Sequence, residues 1–322
     1  MRTRLPDARV TPRFAGLTTF CRFPRLQDVV PENRPVDWAV YGVPFDGGVT
    51  YRPGARFGPR AVREQSQYIK PYHLELGVNV CEKLSLCDAG DAPVEPYSIK
   101  GTLDAAAGWA ANLGDRGTKL LAVGGDHGVA YANIRATWER AGRPAGGLAL
   151  VHFDSHLDTV DAVWGERWGH ASVFIRAIEE GLVDPRAMLS IGVKGPLNRA
   201  DDLEFARTHG VRVVTFERVR REGLGFIGGF VRELAGRPAY LTFDVDVVDP
   251  AFAPGTGTPS VGGMTSAQAL EALRELKGVR IAGADVVEVL PDRDVGGITA
   301  LLAAQVVLEV LALDAVGRET ER

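Results

Sequence analysis

Residues 152 to 158 read His152-Phe153-Asp154-Ser155-His156-Leu157-Asp158, and some ninety residues later the chain reads Phe243-Asp244-Val245-Asp246. Asp154, His156 and Asp158 fall at every second position, directly after the apolar run Gly147-Leu148-Ala149-Leu150-Val151. In extended backbone a two-residue step sends side chains to the same side. Asp244 and Asp246 repeat that step after Ala239-Tyr240-Leu241-Thr242-Phe243. Carboxylates gathered this way repel one another and are costly to bury without a cation. Mixed carboxylate and imidazole ligands suit a divalent transition metal, and so many oxygens suit two ions better than one. A third apolar run, Leu120-Leu121-Ala122-Val123, ends in Gly124-Gly125-Asp126-His127-Gly128. Its glycines allow a tight turn and close backbone approach, which would deliver His127 to the same place. Asp126 is expected to lie behind the ligands and orient an imidazole.

Elements of a particular kind must carry these groups. Eight short β-rich runs, beginning at Asp37 and Lys83 and centred near residues 120, 148, 189, 212, 241 and 283, alternate with segments of helical spacing. The helical segments are 60–67, 100–113, 128–142, 171–181, 200–209, 222–235, 265–277 and 297–314, the last apolar on most sides. Strands alternating with helices predict a mostly parallel eight-stranded sheet covered on both faces, a three-layer α/β/α sandwich. In such sheets ligands collect beyond the carboxyl ends of the strands, and each proposed ligand stands at such an end. Residues 1–35 are rich in Pro and Arg and lack periodicity, so they are expected to wrap the surface or a neighbouring subunit. Residues 36–322 show no composition break and read as a single domain.

Other residues are weighed by position. The loop Gly47–Arg60 fits neither dinucleotide nor phosphate-loop patterns and is expected to rim the site. His170, after the loop Trp164–Gly169, is a candidate proton carrier. Glu288 ends the last apolar run and is expected to face the ligands and meet a cationic group. Asp285 reads as structural. His152 has ligand parity but lies one step deeper in the strand, where packing or hydrogen bonding is the expected role. His73 and His209 have no supporting pattern.

The formal charge of −4 and pI of about 5.9 give no reason to expect nucleic acid or an anionic membrane as partner. Three cysteines without a CxxC pair suit a reducing compartment. No apolar run approaches the roughly 20 residues of a membrane span, and the basic N-terminus has no apolar region after it. A cytoplasmic protein is expected.

Taken together, Gly124-Gly125-Asp126-His127, Asp154-Ser155-His156-Leu157-Asp158 and the run Thr242–Pro259 resemble the ureohydrolases, the arginase and agmatinase family. Tyr41–Arg63 and Gly283–Glu288 are similar to the agmatinase branch. The resemblance implies two Mn2+ per chain and hydrolysis of a guanidino compound to urea and an amine. It places His127, Asp154, Asp158 and Asp244 on one metal, and Asp154, His156, Asp244 and Asp246 on the other. It further implies catalytic roles for Asp158, His170 and Glu288, Glu288 pairing with the substrate guanidinium, and a homo-oligomer, hexamer or trimer. Agmatine, giving putrescine, is the expected substrate. The alternative is an ω-guanidino acid such as 4-guanidinobutyrate or 3-guanidinopropionate. Asp161 or Glu166 would attract a distal cation, and Arg167 or Arg52 a carboxylate. The chain departs from the family pattern at Gly128, Ser155, Ala171 and Lys194, none of them a ligand. A non-catalytic relative would be expected to have lost ligands, and all six are present.

Overall fold

The computed structural model describes residues 1–320. Its strands are β1 (Trp38–Val43), β2 (Tyr72–His73), β3 (Val78–Asn79), β4 (Leu86–Asp91), β5 (Lys119–Gly124), β6 (Leu148–Phe153), β7 (Val183–Val193), β8 (Arg212–Thr215), β9 (Ala239–Asp244) and β10 (Ile281–Val287). Eight of them form one sheet in the order β4-β1-β5-β10-β9-β6-β7-β8, every pairing parallel. The expected eight-stranded α/β sandwich is therefore present, with its main sheet wholly parallel. The two-residue strands β2 and β3 make a separate antiparallel hairpin that no periodicity signals.

The helices are α1 (Gly58–Gln65), α2 (Val80–Lys83), α3 (Ile99–Ala111), α4 (Ala130–Arg140), α5 (Val173–Glu179), α6 (Glu204–His209), α7 (Phe216–Glu222), α8 (Gly225–Leu234), α9 (Ser266–Arg274) and α10 (Ile298–Thr320). Strand alternation distributes side chains between two cores. Trp38 and Val40 of β1 pack with residues of α8, α9 and α10, whereas Ala39, Tyr41 and Val43 pack with residues of α3, α4 and α5. Both sheet faces are thus dry, which is why β6 and β9 are buried at every position and read as continuous apolar runs.

Helix α10 corrects one expectation. Over Ile298–Arg318 it is long and apolar enough to cross a membrane, with a mean hydropathy of 1.9, yet 83% of that window is buried inside the protein. It is a core helix, packed on α1, α9 and β10. The first 35 residues carry three short 3-10 turns, at Phe20–Arg22, Leu26–Asp28 and Pro31–Asn33. They wrap the chain's own surface: the Thr3 hydroxyl donates to the Leu84 carbonyl at 2.6 Å, and Phe20 and Phe23 enter the core.

The sheet order creates the site. Strands β5 and β6 follow one another in sequence, but β10 and β9 lie between them. Loops leaving the carboxyl ends of these four central strands converge on one crevice, the place where ligands gather in open parallel sheets.

Candidate metal centre

Each central strand delivers its own part. Strand β5 ends in the turn that presents His127. A side chain on Gly125 would put a Cβ 1.6 Å from the Phe45 carbonyl oxygen, so the backbone passes there only as glycine. Strand β6 delivers Asp154, His156 and Asp158, β9 delivers Asp244 and Asp246, and β10 delivers Glu288. Asp158 and Glu288 both adopt positive φ, 51° and 64°, a sparsely populated conformation for such residues.

The ligand atoms fall into two groups. His127 Nδ1 lies 3.0 Å from Asp154 Oδ2, 3.0 Å from Asp158 Oδ2 and 3.3 Å from Asp244 Oδ2. His156 Nδ1 lies 3.3 Å from Asp154 Oδ1 and 3.0 Å from Asp246 Oδ2. Asp154 gives one oxygen to each group. Asp244 joins the first through Oδ2, while its Oδ1 accepts the Asp246 N–H at 2.8 Å. His127, Asp154 and Asp246 are fully buried, and Asp244 nearly so.

These atoms fit metal ions better than they fit one another. His127 Nδ1 faces three carboxylates, yet makes no properly aligned hydrogen bond with any of them. One imidazole proton cannot serve three acceptors. Its other nitrogen, Nε2, is 2.8 Å from the Thr242 hydroxyl, which leaves Nδ1 as the ligand atom. Burial, then the charges of Asp246 and Asp154, hold the Asp244 carboxyl well above its usual range. Burial and Asp154 also raise the Asp246 carboxyl. Asp154 is held well below, because the neighbouring His127, His152 and His156 imidazoles outweigh its burial. A buried cluster of this kind calls for positive charge at its centre.

His170 and Glu288 stand beside the ligands. Glu288 Oε1 accepts the His127 backbone N–H at 2.8 Å and lies 2.8 Å from His170 Nδ1. Burial opposes charge on His170, but the Glu288 carboxylate outweighs it and the imidazole is pushed up to about 9. His170 Nε2 accepts the Thr50 N–H at 3.0 Å and lies 2.8 Å from its hydroxyl. The Thr50 N–H requires a bare Nε2, so this contact opposes the charge that Glu288 favours and places the proton shared with Glu288 on Nδ1. Nothing in the sequence marks Thr50 for this role except its place in the loop after β1, on the same rim.

A cleft of about 480 Å³ opens over the centre, lined among others by Thr50, His156, Asp158, Trp164, His170 and Asn198. Val163 and Glu166 exchange backbone hydrogen bonds at 2.9 Å, so Trp164 and Gly165 form the tip of a two-residue hairpin. Their φ values, 51° and 84°, follow the type I′ pattern.

The chain matches the family model described as "Arginase family" over residues 36–313. It is 44% identical over 309 residues to guanidinopropionase from Pseudomonas aeruginosa, covering 95% of this chain and 94% of that one. It is 42% identical over 306 residues to proclavaminate amidinohydrolase from Streptomyces clavuligerus, covering 95% of each. A solved structure of that amidinohydrolase superposes with a TM-score of 0.87 at 41% identity, covering 95% of this chain and 100% of that one. The chain belongs to the arginase family.

As an arginase-family protein it is a hydrolase of guanidino compounds, and the residues singled out in its sequence can be placed. All six expected ligands converge, with His170 and Glu288 against them. Asp126 departs from its expected role. Its oxygens accept the backbone N–H groups of Gly48 and Gly128, at 2.8 and 3.0 Å, instead of bonding an imidazole. It thereby ties the first loop to the His127 turn. Burial, then Glu288, pushes it up to about 7. Glu288 is buried beside the ligands, only 1% exposed. His152 uses both nitrogens, on Ser190 Oγ at 3.0 Å and Asp154 Oδ2 at 2.9 Å, in the hydrogen-bonding role expected of it. Asp285 accepts the Tyr240 hydroxyl inside the sheet. Arg56 pairs with buried Asp46 and holds the first loop. Gly128 has a local reason: a Cβ there would lie 2.9 Å from Asp126 Oδ1.

Proposed function

We propose that the chain hydrolyses a small ω-guanidino compound to urea and an amine at a centre of two manganese ions. The observation that carries this reading is the division of Asp154 between two ligand groups at the floor of a cleft. His127, Asp154, Asp158 and Asp244 would hold one ion, and Asp154, His156, Asp244 and Asp246 the other. When bound, such a pair of cations supplies hydroxide at neutral pH and polarises the electrophile.

The protein's own residues supply orientation and proton transfer. Glu288 Oε1 is committed to the His127 backbone and to His170, so Oε2 is left to pair with the substrate guanidinium. That pairing fixes the central carbon against the ligand cluster. His170, at the cleft wall with a proton on Nδ1 shared with Glu288, and Asp158, at the cleft floor, are the groups placed to hand a proton to the leaving amine.

For the distal end of the substrate we favour a carboxylate. The two acids expected to draw an ammonium are engaged elsewhere: Asp161 is paired with Arg176 and Arg167, and Glu166 caps the Trp168 N–H at 2.8 Å. The identity to guanidinopropionase, 44%, exceeds that to agmatinase from Salmonella paratyphi B, 38% over 299 residues. Agmatine, the expectation from sequence, is the second reading, and Asp202 in the cleft wall favours it. Urea release from manganese-loaded enzyme decides between them, using 3-guanidinopropionate, 4-guanidinobutyrate, agmatine and arginine. A distal ion pair gives roughly ten- to hundred-fold preference. Agmatine turned over fastest would refute the carboxylate reading, and no urea from any of the four would refute the guanidino reading.

A further inference from the structure

Two of the positions at which this chain departs from the family pattern, Ser155 and Lys194, lie far apart in sequence and meet on one residue. The Ser155 backbone N–H donates to Asp246 Oδ1 at 3.0 Å, and the Ser155 hydroxyl donates to the same oxygen at 2.8 Å. The Lys194 ammonium donates to the Asp246 carbonyl oxygen at 2.8 Å. The Lys194 backbone N–H donates to the Ser155 carbonyl at 3.0 Å, which closes a ring of contacts from β6 to β7 to β9. Lys194 reaches Asp246 past Gly263, where a Cβ would lie 2.4 Å from the Lys194 Cε. The path of this side chain is therefore built into the loop.

Every polar atom of Asp246 is then accounted for. Its N–H goes to Asp244 Oδ1 at 2.8 Å, and its carbonyl receives Lys194. Oδ1 receives two donors from Ser155. Oδ2 alone is turned to the ligand group, 3.0 Å from His156 Nδ1, with the Thr258 hydroxyl at 3.4 Å. We propose that Ser155 and Lys194 are positioning residues that hold the Asp246 carboxylate with Oδ2 toward the His156 group, and so set the affinity of the second metal position without acting on the first. The physical reason is that two donors on Oδ1 fix the rotation of the carboxylate. The ammonium on the carbonyl fixes the backbone from which the carboxylate hangs. Partners of this kind behind metal ligands typically change affinity by ten- to hundred-fold.

The proposal rests on the two-metal reading above, and the test separates the two. Full-length protein stripped of metal is titrated with Mn2+ by calorimetry, and the spin coupling between adjacent Mn2+ ions is followed by electron paramagnetic resonance. Wild type is expected to take two equivalents, and fewer would overturn the two-metal reading itself. Ser155→Ala removes one buried hydroxyl and Lys194→Met one charge while keeping its stem. Each is expected to weaken the second equivalent about tenfold, leave the first unchanged, and lose the coupled signal at limiting manganese. The double variant should lose less than the product of the two, because both act on one side chain. If both equivalents weaken alike, or neither changes in either variant, the proposal is wrong.

Discussion

At the scale of single residues, the centre depends on one carboxylate more than on any other. Asp154 lends Oδ2 to the His127 group and Oδ1 to the His156 group, so Asp154→Asn weakens an oxygen ligand to both positions. Metal analysis of this variant should find both depleted and urea release abolished. His156→Ala should deplete only one position; retention of two full equivalents by Asp154→Asn would show that this residue does not bridge. The alternate spacing of Asp154, His156 and Asp158 is legible in the sequence alone, because strand geometry aims alternate side chains together. The partners behind them were not. Thr50 touches His170 from 120 positions away, and Lys194 reaches Asp246 across 52. No local period connects such pairs. Asp126 differs from expectation for a related reason: its neighbour in sequence is a ligand, but its hydrogen bonds run to the backbone of its own turn and of the Gly48 loop.

Among the elements, the hairpin at Val163–Glu166 and the tie between α9 and α10 make opposite predictions. Trp164 holds φ 51° at a hairpin position where glycine or asparagine is ordinarily found, and it is 85% exposed. Trp164→Gly removes little buried surface and relieves the backbone, so thermal unfolding should move upward, by about 1 kcal/mol. The same change strips an aromatic wall from the cleft, and KM for the preferred substrate should rise while kcat holds. A variant with lower stability would mean the indole packs more than its exposure implies. On the far side of the molecule, Glu309 of α10 pairs with Arg274 of α9 at 2.7 and 3.1 Å and lies 2.8 Å from His73 of β2. Burial opposes charge on Glu309, but the contacts with His73 and Arg274 hold its carboxyl below the usual range. A carboxyl whose pKa is lowered on folding gives stability that is present above its unfolded value of about 4.5 and is lost as pH falls through the folded value. Glu309→Gln should therefore cost about 3 kcal/mol near neutral pH, with the gap from wild type closing in denaturant melts run below about pH 4.5. A gap independent of pH would point to packing rather than charge. The eight sheet strands could be read from apolar runs and the long helices from their period, whereas β2, β3 and α2 are too short to show one. The apolar character of α10 is legible in the sequence, whereas the length of its apolar span is masked by polar residues such as Gln305 and Glu309 that interrupt the run.

For the molecule as a whole, association is proposed rather than seen. Val10, Phe14 and Leu17 of the first segment are 79%, 94% and 70% exposed, and Leu74 of the hairpin is 78% exposed. Large apolar side chains standing clear of the core are costly to leave in water when several lie on neighbouring segments. We expect a homo-oligomer, a trimer or hexamer, at micromolar concentration. Light scattering that returns the monomer mass of 34.6 kDa would exclude it.

The sheet order has a consequence for how the protein is made. A ribosome releases the chain from its N-terminus, so β5 and β6 emerge long before the two strands that must lie between them. Until β9 and β10 arrive, neither β5 nor β6 has its full complement of strand partners, and exposed strand edges invite misassembly. His127 and Asp154 meet only when β10 and β9 have taken their places in that gap. Metal capture is thus a late event in the life of each chain, and a truncated product that lacks β9 and β10 would carry four of the six ligands without the geometry to use them.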